Sequence, residues 1–328
     1  MSTDSVSGLL RDGSWQSRLR ASLSSWVTLA ILLAAVAANA WLQPTFFTAY
    51  SLTSNFATFA PLVLAAVAQS VIVIGGGLDL SIGAIAALSS VVALHVMAAD
   101  DSRILLGLLA ALATGAACGA LNGFVVAVVR LQPLIATFAT SSIFAGAALV
   151  VLPSPGGAVP AALTTAYRSR VAGIPVPMLI VAAALVFWLA LERTRLLRHV
   201  RAVGGNREAA FTSLVPVART QWAGYTLAGT LVGCAAMAIL ANTGAGDPFI
   251  GSNMALDSIA AVVLGGIALS GGRGSGIGAV GGALILSFVG NVISFLGVPT
   301  TWRQLVSGLV IIAALAMSVL TTTKERGR

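Results

Sequence analysis

Long apolar segments with very few charged residues follow one another from residue 23 to residue 320. Hydrophobic residues make up 58% of the chain and charged residues 9%, and the mean hydropathy is +0.97. A soluble domain of 328 residues has too little interior to bury so much apolar surface. Lipid is therefore the solvent for most of the chain, and helices satisfy their own backbone groups in lipid. The sequence predicts an all-α integral membrane protein.

A polytopic helical bundle of about ten membrane spans follows from a length of about twenty residues per span. Eight to eleven spans are compatible with the sequence, because glycine-rich breaks interrupt residues 52–98 and 255–296. The predicted organisation is a cytoplasmic N-terminal segment (1–22), a transmembrane domain (23–320) with a polar loop (192–219), and a cytoplasmic tail (321–328). The predicted spans are 23–42, 52–74, 79–98, 104–129, 133–152, 176–191, 220–241, 255–270, 277–296 and 302–320.

The positive charges are distributed unevenly over the loops between these spans. With the N-terminus in the cytoplasm, fourteen of the 18 Lys and Arg residues fall on the inner side, and Arg103, Arg168, Arg170 and Arg303 fall on the outer side. Cytoplasmic loops of membrane proteins carry such an excess. The pattern predicts ten spans with both termini in the cytoplasm. It also accounts for the net charge of +8 without a nucleic-acid partner.

The first span also fits a cleaved signal peptide, because Ala38-Asn39-Ala40 has the small-x-small pattern of a cleavage site. The apolar segment before it is longer than the usual signal sequence. Its removal would leave an odd number of spans. We therefore expect this segment to stay in place as a span.

A glycine-rich motif with an acidic residue interrupts the apolar sequence at residues 75–83. Asp79 and Ser81 lie in it, and a carboxylate at membrane depth is costly unless it caps backbone groups or faces a polar path. One hypothesis places Asp79, Ser81, Gly77 and Asn122 on the translocation pathway, beside a broken helix. The alternative is that Asp79 or Ser81 caps the helix that follows.

Enzyme motifs are absent or lack their structural context. The residues from Gly276 to Gly281 match the spacing of a dinucleotide-binding loop, but they open an apolar segment and follow no strand. Lys324, the only lysine, lies in the tail, so the chain has no Walker A loop. The two cysteines and two histidines are widely separated. We expect no catalytic residue, no metal site and no cofactor bound by this chain.

Glycines recur every four residues in two segments, and such small-residue stripes let helices approach closely in lipid. The first stripe is Gly115, Gly119 and Gly123. The second is Gly274, Gly278 and Gly282.

The polar loop (192–219) has the pattern of a short helix presented to the cytoplasm. Gly204-Gly205 is expected to break the chain, Asn206 is a suitable N-cap, and Glu208 complements the dipole of the first turn. Such a helix suits either a groove on a partner protein or the lipid headgroups, and we favour the partner. Its apolar side consists of Ala209, Ala210, Phe211 and Leu214.

Residues 55–320 resemble the permease subunits of bacterial ATP-binding-cassette importers for sugars, a family that includes ribose, xylose and galactose permeases, and four motifs in family order carry the resemblance. They are Gly76 to Gly83, Asn122-Gly123 through Thr140, Ala202 to Ala210, and Leu256 to Gly274.

The resemblance implies that the chain moves a pentose or hexose and pairs with a second permease, either an identical copy or a related one. It implies a cytoplasmic ATPase that uses ATP and a periplasmic binding protein that delivers the sugar. The residues that it implies for contact with the ATPase are Gly204, Gly205, Asn206, Glu208, Ala209 and Phe211.

Other residues have more than one implied role. Permeases of different sugars share the motif around Asp79, so we favour the structural role for this residue. Asp257 suits either a helix cap or a contact with the binding protein. Arg273 suits a contact with the ATPase or with anionic membrane lipid. The chain departs from the family pattern at Leu197, Leu214, Ala139 and Ala255, which affects the coupling contact and the substrate.

Two other function classes compete with this interpretation. An ion-gradient-driven secondary transporter of a small polar solute usually has several ionisable groups in its spans, whereas Asp79 is the clear candidate here. An intramembrane enzyme needs a paired nucleophile and base, and Ser81 has no histidine nearby in sequence.

Overall fold

The computed structural model describes residues 28–297 together with residues 302, 305, 308 and 309. Helices make up most of this part of the chain, and its one sheet is a two-stranded hairpin. The predicted N-terminal segment (1–22), most of the last predicted span (302–320) and the predicted tail (321–328) lie outside the described residues.

Each of the nine predicted spans between residues 23 and 296 contains one apolar helix. These helices are α1 (Thr28–Leu42), α2 (Ala49–Ile74), α3 (Ile82–Met97), α4 (Ile104–Ala127), α5 (Pro133–Val151), α7 (Val176–Glu192), α10 (Val217–Thr243), α11 (Met254–Leu264) and α12 (Gly276–Phe295).

Further elements lie in the connections. A 3-10 turn (Asp101–Arg103) precedes α4. The proline-rich connection after α5 contains a helix and a hairpin. The remaining elements are α6 (Ala161–Arg168), β1 (Arg170–Val171), β2 (Ile174–Pro175), α8 (Arg195–Gly205) and α9 (Arg207–Thr212).

The predicted position of the break at Gly204-Gly205 is wrong by one residue, because α8 includes both glycines and the break comes at Asn206. The side chain of Thr194 begins this helix by accepting a hydrogen bond from the Leu197 N–H at 3.3 Å. Leu197, Val200 and Val203 are buried at the three-residue spacing of a helix face. This apolar face stabilises a helix that the many arginines of the segment had obscured.

The helices differ in whether they are long enough to cross a membrane. In the described part of the chain, α2, α4 with its preceding turn, α5, α10 and α12 are long and apolar enough, and α7 with α8 forms a pair bent by 77°. At about 1.5 Å per residue, α11 extends only about 17 Å. It ends at Leu264 and is capped by Gly265, so the predicted span 255–270 is too long. The chain is a polytopic helical membrane protein.

Helix α2 lies at the centre of the bundle, where α7, α10, α11 and α12 all pack against it. The first predicted glycine stripe lies between α4 and α10: a Cβ atom on Gly115 would overlap the Gly229 carbonyl oxygen. In the second stripe, Gly278 and Gly282 lie against α11 in the same way. Gly274 does not belong to that stripe, because it lies before α12 at a φ of +128°.

Candidate functional site

The chain is not helical between α2 and α3, where the glycine-rich motif lies. The N–H groups of Gly76 and Gly77 donate to the carbonyls of Val73 at 2.9 Å and Ile72 at 3.0 Å, which closes the end of α2. Gly76 adopts a φ of +79°, a conformation that costs glycine little. The chain can therefore turn sharply and place residues 78–81 inside the bundle.

Asp79 is only 2% exposed and is hydrogen-bonded within the protein. Its Oδ1 atom accepts from the backbone N–H of Ser81 at 2.7 Å and from the Ser81 hydroxyl at 2.6 Å. Its Oδ2 atom accepts from Asn122 Nδ2 at 3.3 Å, and the same nitrogen donates to Ser81 Oγ at 2.7 Å. Three predicted site residues thus meet in one buried cluster.

Helix α5 extends this cluster through two threonines that sequence reasoning did not place in the site. Thr140 Oγ1 donates to Asn122 Oδ1 at 2.6 Å. Thr137 Oγ1 lies 3.3 Å from the Leu78 carbonyl and accepts from the Leu80 N–H at 3.1 Å. Their three-residue spacing in an apolar helix was the available signal, since polar residues in a membrane helix find polar partners.

The expected cap of α3 takes a different form. Ser81 is the N-cap residue of α3, but its side chain makes no capping hydrogen bond. The Asp79 carboxylate binds the N–H of Ser81, one residue before the helix begins. Together with Asn122, Thr137 and Thr140, these residues fasten the break between α2 and α3 to α4 and α5. We call this set the Asp79 network.

Gly77 lies near the Asp79 network but faces α10. A Cβ atom on Gly77 would lie 2.7 Å from the Tyr225 hydroxyl oxygen. That hydroxyl is buried and has no hydrogen-bond partner among the described residues. A side chain at residue 77 would thus displace a buried polar group.

The residues predicted for contact with the ATPase lie at the end of α8 and in α9. Asn206 is the N-cap of α9, as predicted, and its Oδ1 atom accepts from the Ala209 N–H at 2.9 Å. Glu208 is exposed in the first turn, where it complements the helix dipole. Phe211 is 71% exposed. This helix therefore presents a large apolar side chain on its surface.

Leu214 ends α9 in the left-handed conformation, with a φ of +61°. Its N–H donates to the Phe211 carbonyl and the Val215 N–H to the Ala210 carbonyl, both at 3.0 Å. This pair of bonds forms a Schellman motif, in which glycine is the favoured residue at this position. The departure from the family glycine therefore occurs where a Cβ atom is strained.

We expect Leu214→Gly to be more stable than Leu214→Ala by about 1 kcal/mol, because alanine keeps the strained Cβ atom and glycine does not. Loss of the leucine side chain affects both variants equally, since it is 92% exposed. Thermal unfolding of the detergent-solubilised variants would measure the difference. Equal midpoints would contradict the strain at residue 214.

A second polar cluster joins α7, α8 and the start of α12. Polar residues near helix ends were its only signal in the sequence. Glu192 Oε1 accepts from Trp188 Nε1 at 2.9 Å, Arg201 Nη2 at 2.9 Å and Ser275 Oγ at 3.1 Å. Arg201 also lies 3.4 Å from the Gly274 carbonyl oxygen. We call this set the Glu192 cluster.

The structure does not bring the last two candidates together. Asp257 lies in the first turn of α11, where a carboxylate is favourable. Arg273 is exposed in the connection between α11 and α12. These residues are separate from the Asp79 network.

A large cavity of about 680 Å³ lies among α2, α4, α7 and α10. Its polar side chains are Tyr167, Ser169 and Cys234, and the Tyr167 hydroxyl already donates to the Ala57 carbonyl at 2.9 Å. A solute rich in hydroxyl groups needs more hydrogen-bond partners than the lining of this cavity supplies, so the cavity does not suit such a solute.

The sequence of the chain matches a family of transport proteins. Residues 51–315 fit the model of the branched-chain amino acid transport system / permease component family. The chain belongs to this permease family. It is a transport subunit and not an enzyme.

Several curated proteins are similar to the permease over nearly its whole length. The ribose import permease protein RbsC of Escherichia coli K12 is 34% identical over 90% of this chain and 94% of its own. The D-allose transport system permease protein AlsC of the same organism is 33% identical over 89% and 91%. The autoinducer 2 import system permease protein LsrD of Photorhabdus temperata is 31% identical over 78% and 79%. No solved structure matches the chain significantly.

Proposed function

We propose that this permease is the membrane subunit of an ATP-binding-cassette importer that moves a pentose or hexose across the inner membrane. The observation that carries the proposal is the similarity to ribose and allose permeases over about nine tenths of the chain. A separate cytoplasmic ATPase hydrolyses ATP, and a periplasmic binding protein delivers the solute. The lack of a Walker A loop in this sequence fits that division of labour.

An uncharged solute also fits the interior of the bundle. The family description refers to branched-chain amino acids, and a zwitterion requires charged partners in a medium of low dielectric constant. Asp79 is buried with donors of the protein on both of its oxygens. It is therefore not free to pair with an ammonium group.

Uptake by proteoliposomes that contain the permease with its co-purifying ATPase and binding protein tests the proposal. We expect uptake of labelled ribose or allose that needs ATP and persists with an ionophore. Uptake that continues without ATP and stops with the ionophore would instead establish a secondary transporter. Transport of labelled leucine, with neither sugar transported, would overturn the proposal that the solute is a sugar. Transport of labelled autoinducer 2 alone would show that the solute is that sugar-like signal.

The architecture that we propose has about ten spans with both termini in the cytoplasm. The support for this count is that each of the nine predicted spans in residues 28–297 has one apolar helix, although α1, α3 and α11 are shorter than a full span. Helix α3 is joined to α2 through the break at the Asp79 network. The residues that the structure describes leave most of the surfaces of α4 and α5 uncovered. A second permease, identical or related, and membrane lipid would cover these apolar faces.

We propose that the ATPase binds the segment formed by α8 and α9. The arginines of this segment support a cytoplasmic position, because cytoplasmic loops carry an excess of Lys and Arg. Exposed Phe211 and Glu208 on a short helix suit a groove on a partner. On this proposal Gly204, Gly205, Asn206 and Ala209 shape or support the same contact.

Phe211→Ala is expected to lower ATP-driven uptake by about tenfold or more, because truncation of a central aromatic contact commonly costs about 2 kcal/mol. Phe211→Glu should have a larger effect, since it places a charge in an apolar groove. Both ATP hydrolysis and uptake are measured in proteoliposomes. Phe249→Ala, at a 57% exposed phenylalanine in the α10–α11 connection, is the control. Normal coupled uptake by Phe211→Glu would contradict the contact.

A further inference from the structure

Three pairs of glycines from distant parts of the sequence meet where α2 ends. They are Gly75-Gly76 after α2, Gly204-Gly205 at the end of α8, and Gly271-Gly272 between α11 and α12. The Gly272 N–H donates to the carbonyl of Ile74, the last residue of α2, at 2.8 Å. We call the three pairs the glycine junction.

The contacts within the glycine junction are between backbone atoms. A Cβ atom on Gly204 would overlap the Ile74 carbonyl oxygen and lie 2.8 Å from the Gly272 nitrogen. A Cβ atom on Gly271 would lie 2.7 Å from the Gly204 carbonyl oxygen and 2.8 Å from Gly76 Cα. Backbone surfaces in contact have no rotamers that could absorb a displacement. A shift of α8 is therefore passed on to the end of α2.

The glycine junction is close in sequence to the Asp79 network. Gly76 precedes Asp79 by three residues. Thr137 Oγ1 holds the backbone beside Asp79, because it accepts from the Leu80 N–H at 3.1 Å and lies 3.3 Å from the Leu78 carbonyl oxygen. Movement of Gly76 therefore acts on the break between α2 and α3 and, through Asn122, on α4.

The other side of the glycine junction leads to α9. Only Asn206 separates α8 from α9. Buried Val203, Ala210 and Val217 form one apolar cluster that joins α8, α9 and the start of α10. A partner that moves α9 must therefore move the end of α8 with it.

The Glu192 cluster ties α8 to α7 and to the start of α12. Arg201 lies one turn before Gly204-Gly205 and pairs with Glu192 at 2.9 Å. The same carboxylate holds Ser275, directly after the connection that carries Gly271-Gly272. The end of α8 is thus held between α2 and the start of α12, and it cannot slide past either one freely.

We propose that the glycine junction carries the movement of α9 to the Asp79 network, and that Gly204 is its positioning residue. This inference rests on the proposed function, in which an ATPase moves α9. Gly204 touches neither solute nor nucleotide in this scheme. It keeps α8 close enough to Ile74 and Gly76 for the two to move together.

The test compares Gly204→Ala with Gly224→Ala in proteoliposomes that contain the full transporter. A Cβ atom on Gly224 would make ordinary contacts with Val71 at 3.8 Å and Val200 at 3.9 Å, so the control adds a methyl group beside the same helix without overlap. The readout is the number of ATP molecules hydrolysed per solute molecule taken up. A merely structural defect lowers hydrolysis and uptake together and leaves this ratio unchanged.

For Gly204→Ala we expect the ratio to rise by about tenfold or more, because overpacking against backbone separates the two surfaces. For Gly224→Ala we expect a ratio within about twofold of the parent, because its contacts are of ordinary length. A Gly204→Ala transporter with the parent ratio would overturn the proposal. If the parent transporter itself shows no ATP-driven uptake, the proposed function fails instead, and this result is distinct from a normal ratio in the variant.

Hydrogen–deuterium exchange of the unmodified transporter decides the matter if Gly204→Ala does not fold. Exchange is compared between the nucleotide-free complex and the complex trapped with ATP and vanadate. The proposal expects protection to change both in α8–α9 and in residues 75–81. A change confined to α8–α9 would overturn it.

Discussion

Gly229→Ala is expected to prevent the close packing of α4 against α10 and to lower the fraction of the protein that folds. The added Cβ atom would overlap the Gly115 carbonyl oxygen and lie 2.9 Å from Gly119 Cα. Backbone atoms cannot rotate away, so the cost should reach the upper end of the range for overpacking, about 3 kcal/mol or more. Membrane helices associate mainly through such close packing, because lipid is as apolar as the helix surfaces and the hydrophobic effect contributes little.

The measurement is the yield of monodisperse protein in detergent together with its unfolding midpoint. Gly146→Ala serves as the control, because a Cβ atom on this α5 glycine meets nothing within 4 Å. The control should match the parent protein. If Gly229→Ala unfolds at the same temperature as the control, the close approach of α4 and α10 is wrong.

Asp79→Ala is the second change with a large expected effect. It leaves the Ser81 N–H, the Ser81 hydroxyl and the Asn122 amide without the acceptor that they share. An unsatisfied buried donor costs about 1–3 kcal/mol, so several donors that lose one shared acceptor should severely reduce the folded population. Asp79→Asn keeps the acceptor for Ser81 and loses only the 3.3 Å bond from Asn122. We expect it to fold with a moderately lowered midpoint and an unchanged solute preference.

Asp100 provides a matched control for this substitution. Its Oδ1 atom accepts from the Ser102 N–H at 2.9 Å and the Ser102 hydroxyl at 2.7 Å, the same local geometry as in Asp79 and Ser81. These hydrogen bonds from Ser102 hold the pKa of Asp100 below its ordinary value. The Asp100 side chain is 45% exposed, so water can replace its bonds and Asp100→Ala should leave the midpoint nearly unchanged. Normal folding of Asp79→Asn with an altered solute preference would favour the pathway role of Asp79.

The sequence predicted the helices well, because hydropathy records directly which segments can lie in lipid. It predicted less well where the chain remains polar. The arginines of α8 concealed a face formed by Leu197, Val200 and Val203. The glycines at residues 204 and 205 suggested a break, whereas Gly204 is small because Ile74 lies against it. Glycine spacing carries no information on which partner comes close.

The candidate site was predictable in its members more than in its geometry. Asp79, Ser81 and Asn122 stand out as polar residues in apolar sequence, and the structure brings them together. The spacing of Thr137 and Thr140 indicates that they share one face of α5, but their contacts also depend on how α5 is oriented toward α4, which that spacing does not encode. The Glu192 cluster likewise joins residues as far apart as Glu192 and Ser275.

The glycine contacts between α4 and α10 and between α11 and α12 have a mechanical consequence. Side chains at an interface can exchange rotamers and let two helices drift by small increments. Where peptide planes abut, as at Gly115 and Gly229 or at Gly265 and Gly278, no such gradual repacking is available. Each of these two helix pairs either keeps its relative position along the helix axes or separates completely. Each pair therefore moves as one rigid unit of the bundle.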